Sequence, residues 1–144
     1  MKLSISNIGW QESDDRQVIN LINKYGYTGL EIAPTRVFPN MPYDCLPEAK
    51  EWARKLKEDY GLIVPSMQSI WYGRQEKIFG ADIEREELLE YTKKAILFAE
   101  GIGCKNLVFG CPRNRYIPEG ADEGIGVKFF RQLSEYAHAH GTVL

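Results

Sequence analysis

The 144-residue sequence predicts an α/β protein made of consecutive parallel β/α units, as in a barrel. Three observations carry this prediction. Short apolar runs alternate with longer stretches whose apolar residues recur at helical spacing, and the unit of strand plus helix repeats about every 30 residues. No hairpin signal joins one apolar run to the next, so neighbouring strands must be connected by right-handed crossovers. The loops leaving the apolar runs are long and polar, whereas the returns from helix to strand are tight, at Gly26, Gly61 and Gly101 to Gly103. That asymmetry is the mark of a barrel whose working mouth lies at the carboxyl ends of its strands.

The elements follow in order. Leu3, Ile5 and Ile8 among small polar residues suggest a first strand within residues 2–10. Ser13 or Asp14 is placed to cap a helix whose apolar positions are Val18, Leu21, Ile22 and Tyr25. Residues 29–33 form the second strand. Four prolines, Pro34, Pro39, Pro42 and Pro47, keep residues 34–47 from being helical throughout. Pro47 and Glu48 suit the start of a second helix carrying Ala49, Trp52, Ala53, Leu56 and Tyr60, closed by Gly61. Leu62, Ile63 and Val64 supply the third strand, with Pro65 marking an edge, a bulge or its terminus.

Residues 69–81 are a long connection, and Asp82 is placed to cap a third helix with the inner stripe Leu88, Thr92, Ala95, Ile96 and Ala99. Leu107, Val108 and Phe109 read as a fourth strand buried on both faces, stopped by Gly110 and Pro112. Residues 117–126 form a glycine-bearing loop, too loosely patterned for a phosphate-cradling motif, ahead of a fourth amphipathic helix over residues 127–140. Thr142, Val143 and Leu144 look like the opening of a fifth strand. The expectation is thus about four and a half of a barrel's eight units, with residues 1–144 a single N-terminal part that stops where strand five begins. A flavodoxin-like open sheet fits the length, but it requires a finished last strand covered by a helix.

Eighteen basic and 20 acidic residues leave a formal charge of −2, which argues against wrapping nucleic acid along a basic face. No apolar run approaches the roughly 20 residues needed to cross a bilayer, and no signal-peptide core opens the sequence, so a cytoplasmic location is the expectation. Cys45, Cys104 and Cys111 match neither a dithiol motif nor a zinc site and read as free thiols; only Cys111, in a loop after a strand, merits a test of reactivity. His138 and His140 lie two apart on one predicted helix and so point in different directions.

Four segments in order carry a family resemblance: Ser4 to Trp10, Gly29-Leu30-Glu31-Ile32-Ala33-Pro34-Thr35, Ile63 to Ser69, and Leu107-Val108-Phe109-Gly110-Cys111-Pro112-Arg113-Asn114-Arg115. Together they resemble the sugar phosphate isomerase/epimerase group with the xylose isomerase-like (AP endonuclease family 2) TIM barrel. The resemblance covers essentially the whole chain and the first half of such a barrel. It implies metal-assisted proton transfer on the carbon next to a sugar carbonyl, with a divalent ion (Mn, Mg, Co or Zn) held by ligands from strands five to eight. Those ligands fall beyond residue 144, so the expected metal site of this chain alone is none. Zinc endonucleases are the weaker relatives, because Gln68 stands where a histidine ligand is looked for.

Candidate residues sit at the three polar strand exits. Glu31 is the candidate catalytic carboxylate; it could instead accept sugar hydroxyls, orient Arg36 or Arg115, or make a structural ion pair. Arg113 and Arg115 suit a phosphate or carboxylate, or could instead neutralise Glu31 or Glu119, Arg115 being the one expected to point inward. Trp10 and Trp71 offer flat walls for a sugar ring or an aromatic plug, Gln68 both donates and accepts, and Ser6, Asn7 and Asn114 help shape a polar pocket or cap turns. The expected partner is a small sugar or sugar phosphate rather than nucleic acid or membrane. Unpaired sheet edges further imply self-association or a missing C-terminal half. The alternative reading is a non-catalytic carbohydrate-binding or self-assembling half-barrel.

Overall fold

The computed structural model describes residues 2–144. Strand β1 (Ser4–Ser6) runs parallel to β2 (Gly29–Glu31), with Ser4 opposite Gly29, Ile5 opposite Leu30 and Ser6 opposite Glu31. Parallel bridges from Gly29 to Ile63 and from Ile32 to Met67 join β2 to β3 (Ser66–Met67). Strand β3 pairs in parallel with β4 (Asn106–Leu107), and Val143 exchanges backbone hydrogen bonds with Lys105 and Leu107 on the far side of β4. The spatial order is therefore the sequence order, all parallel. A flavodoxin-like sheet would place β1 between β2 and β3, so the sheet is a barrel segment.

Helices α1 (Asp15–Lys24), α3 (Leu46–Tyr60), α4 (Asp82–Ile102) and α5 (Gly124–Ala139) cover one face of this sheet, and a short α2 (Pro34–Val37) sits at the exit of β2. Leu30, Ile32, Leu62, Val64, Met67 and Leu107 join the helix residues Leu56, Leu88, Ile96, Phe98 and Leu133 in one core. Their neighbours on the other face stay open: Ile63 is 49% exposed, Val108 43% and Val143 60%. This corrects the expectation of a fourth strand buried on both faces. Successive side chains of a strand point to opposite sides, and helices cover only one of them here.

Local chemistry explains the boundaries. Helix α4 is capped one residue before the expected position, at Ala81, because the Glu84 carboxylate reaches back to accept the Ala81 N–H at 2.9 Å. Its predicted inner stripe is buried throughout. Helices α3 and α4 end at Gly61 and Gly103, both with positive φ (68° and 75°). In α1 the buried residue is Ile22, with Val18 and Ile19 packed on the core, while Leu21 and Tyr25 are exposed. Residues 34–47 hold α2 and a 3-10 turn (Pro42–Asp44), each with proline in its first turn.

The third strand is interrupted rather than ended by Pro65, which has no N–H to donate: Ile63 bridges to β2, and β3 resumes at Ser66. Gly29 makes room for this kink. A Cβ there would lie 2.8 Å from Ser4 Cβ and 2.9 Å from Pro65 Cγ. No helix of the described residues is long and apolar enough to cross a membrane.

Candidate functional site

The exits of the first three strands converge on the open face. Ser6 and Glu31 stand side by side through the β1–β2 register. The backbone N–H of Gln68 donates to Ile32 O at 2.8 Å, which carries the β3 exit against β2 and sets the Gln68 side chain beside them. Its Nε2 donates to Glu31 Oε1 at 3.1 Å and to Ser6 Oγ. All three side chains are half-buried, and no described residue donates to Glu31 Oε2. The result is a carboxylate fixed by an amide, with one oxygen left for a ligand hydroxyl.

Farther along the same strand exits lies a cavity of about 670 Å³ lined by Ile8, Ala33, Thr35, Arg36, Ser69 and Tyr72, among others, with Ser6, Glu31 and Gln68 outside its lining. Tyr72 is 66% exposed and offers its ring to the mouth. Asn7 ties the first two exits together: its buried Oδ1 accepts the Ala33 N–H at 2.9 Å, and its Nδ2 has no partner among the described residues. Ser69 adopts a left-handed φ of 53° as the chain leaves β3, and Gly110 passes against it.

The other candidate residues stand outside this hydrogen-bonded cluster, and three of them, Trp71, Arg113 and Asn114, line a separate cavity. Trp10 faces the α1 side, donating its indole N–H to Asp15 Oδ1 at 2.7 Å; Arg36 grips both Asp15 oxygens and stands over the Trp10 ring at 5.7 Å. That cluster borders a cavity of about 330 Å³ between α1 and α3. Trp71 is fully buried, its indole donating to Thr92 Oγ1 at 2.8 Å and its ring packed on Phe109. Asn114 is also buried; its Nδ2 donates to Arg74 O at 3.1 Å and Glu76 O at 2.8 Å, so it braces two loops. Arg115 is exposed and donates to Gly110 O, and Arg113 is exposed with no ion-pair partner among the described residues. Neither Arg36 nor Arg115 reaches Glu31.

Burial pushes the Cys104 thiol up to about 11, and it raises Cys111 as well, so neither is an activated thiolate. His140 pairs with Glu100 on α4, away from the mouth. Among the described residues no group of three or more His, Cys, Asp or Glu comes together to hold a metal. Sequence reasoning did not find Arg74, held by Glu76 and packed over Tyr91, or Tyr43, whose buried hydroxyl donates to Ile70 O. No periodicity marks such residues in a connecting loop.

No family model matches the sequence, and no curated protein matches it. Solved structures do match. A 3-keto-D-glucoside 4-epimerase from E. coli aligns over 99% of this chain with a TM-score of 0.66 and 19% identity. The chain has the fold of half a xylose isomerase-like TIM barrel. A D-psicose 3-epimerase from Clostridium cellulolyticum, solved with D-tagatose, aligns to the half-barrel with a TM-score of 0.71 and 15% identity. An AP endonuclease of family 2 from Brucella melitensis gives 0.60 and 20%. The half-barrel spans about half the length of these proteins, 54%, 50% and 53% respectively. Their activities differ while the architecture is common, so the likeness carries the fold.

Proposed function

We propose that this chain supplies substrate-contacting strand ends of a sugar or sugar phosphate isomerase/epimerase, which moves a proton on the carbon beside a carbonyl. One observation carries the reading: Ser6, Glu31 and Gln68, from three different strand exits, meet on the open face at the carboxyl ends. Such a cluster accepts and donates hydrogen bonds to a polyol, and Glu31 is its only carboxylate. Gln68 fixes one Glu31 oxygen and leaves the other toward the substrate. The net charge of −2 favours a sugar over a nucleic acid. Two of the three similar structures named above are sugar epimerases.

The divalent metal implied by the family resemblance does not fit the residues present. Three or four ligands must converge on such an ion, and among the described residues no three His, Cys, Asp or Glu come together, at Glu31 or elsewhere. The test is interconversion of ketohexoses by the 144-residue chain, with and without manganese, alongside sugar binding. The reading predicts binding that weakens in Glu31→Gln and no turnover by the chain alone. Turnover by these residues with manganese would overturn the assignment of the metal ligands to other residues. Absence of sugar binding would overturn the reading itself.

A second reading, a half-barrel that binds carbohydrate or self-assembles without catalysis, draws on the row Ile63, Val108 and Val143, apolar and exposed on the open face. Binding without any reaction in an assembly of defined mass would favour it.

A further inference from the structure

A second cavity lies beside the mouth, between the loop after β3 and the turn after β4. Its volume is about 510 Å³, and it is bordered by Arg74, Lys77 and Arg113, with no aspartate or glutamate among its lining residues. Three cations with no carboxylate in the same lining are unusual on a chain of net charge −2. The cavity between α1 and α3 shows the ordinary mixture, with Glu12, Asp15 and Asp59 set against Arg36 and Lys55. Arg74 is answered by Glu76 at 2.5 Å and by Glu87 at 3.9 Å. Lys77 and Arg113 have no carboxylate within ion-pair distance among the described residues.

The walls are held in place independently of any ligand. Asn114 donates to two carbonyls of the facing loop, Arg74 O and Glu76 O, and its backbone carbonyl accepts the Ile78 N–H at 3.0 Å. Trp71 closes the inner side, fixed by Thr92 and Phe109. Such bracing keeps the two loops at one separation, so the cations do not have to be gathered when an anion arrives. Tyr72 and Gly73 line both this cavity and the one at the strand exits, where Ala33 and Ser69 follow Glu31 and Gln68 closely in the chain. A molecule lying across them can place a polyol at one and a charged end at the other.

We infer that this cavity is an oxyanion subsite, in which Lys77 and Arg113, the two lining cations without a carboxylate partner among the described residues, take the phosphate of a phosphorylated sugar. The inference deepens the proposed function by selecting phosphorylated over neutral sugars, and it rests on that reading only for the sugar part. Guanidinium and ammonium groups bind phosphate by charge-assisted hydrogen bonds that an uncharged hydroxyl cannot replace.

Isothermal titration with inorganic phosphate, fructose 6-phosphate and fructose tests it, using wild type, Arg113→Ala, Lys77→Ala and the double variant. Both side chains are exposed, so the fold should survive, and unchanged near-ultraviolet circular dichroism checks this. Arg16→Ala, on the exposed side of α1, is the control. Phosphate should bind wild type and the control equally, weaken about tenfold in each single variant, and weaken further as salt is added. Fructose 6-phosphate should bind more tightly than fructose and lose that margin in the double variant. No phosphate binding, or binding indifferent to both substitutions, overturns the subsite. Phosphate binding that follows the variants, with no gain from attaching fructose, upholds the subsite and overturns the sugar reading.

Discussion

Replacing Asn114 by alanine should destabilise the fold although no α-helix or strand contains the residue. The side chain is 5% exposed and its amide holds two backbone carbonyls, Arg74 O and Glu76 O, at 3.1 and 2.8 Å. Each lost hydrogen bond costs about 1 kcal/mol, and a carbonyl left buried without a donor costs about 1–3 kcal/mol. Some water entry beside the second cavity offsets part of this, leaving a loss of roughly 2–4 kcal/mol from a total stability on the order of 5–15 kcal/mol. Asn114→Asp should be worse, because a carboxylate oxygen then faces the two carbonyls in place of the NH₂ group. Urea unfolding followed by circular dichroism reads both, with the dependence on urea unchanged. If both variants unfold within about 0.5 kcal/mol of wild type, Asn114 is not a brace between the two loops.

Three further outcomes follow from the packing. Gly29→Ala should cost about 1–3 kcal/mol in thermal or urea unfolding, since the new methyl meets Ser4 Cβ and Pro65 Cγ at 2.8 and 2.9 Å; a neutral result would mean that the Pro65 kink yields freely. Trp71→Phe and Thr92→Val should couple by about 1 kcal/mol in a double-mutant cycle, because each removes the same indole-to-hydroxyl bond; strict additivity would show that this bond adds nothing to stability. The buried Cys104 thiol, raised from an ordinary 9.0 to about 11, stays neutral in the folded state after the unfolded chain has begun to ionise. Its contribution is complete below pH 9 and is lost as pH rises toward 11, roughly 2–3 kcal/mol at most. Cys104→Ala should flatten that part of the alkaline unfolding curve, and an unchanged curve would contradict the assignment.

The helices were legible in sequence because their signals are local. The stripe of α4 and the glycines after α3 and α4 depend on residues within a few turns of one another. The strands were legible as runs but not as faces. Ile63 and Val108 are as apolar as Leu62 and Leu107, and only the placement of the helices decides which of each pair is covered. The candidate site divides the same way. Glu31 and Gln68 could be named from their positions at strand exits, yet their contact spans 37 residues and follows from register across β2 and β3. The polar loop around Asn114 suggests a residue that shapes a pocket or caps a turn; it lines the second cavity, and the engagement of both its amide hydrogens by the facing loop, about 40 residues earlier in the chain, has no local signal. Trp10 and Trp71 carry the same side chain after two strands, but one packs under an arginine beside α1 and the other enters the core.

If the open face at the strand exits, rather than the helix layer, is where this half-barrel meets its ligand, a sugar must leave its trace there. Amide chemical shifts of isotope-labelled protein, followed during titration with a ketohexose, distinguish the two faces residue by residue. Saturable shifts are expected at Ser6, Glu31, Gln68 and Ser69, and they should disappear in Gln68→Leu. Shifts confined to α1, α3 or α5, or none as the sugar is raised to saturating concentration, would contradict this placement.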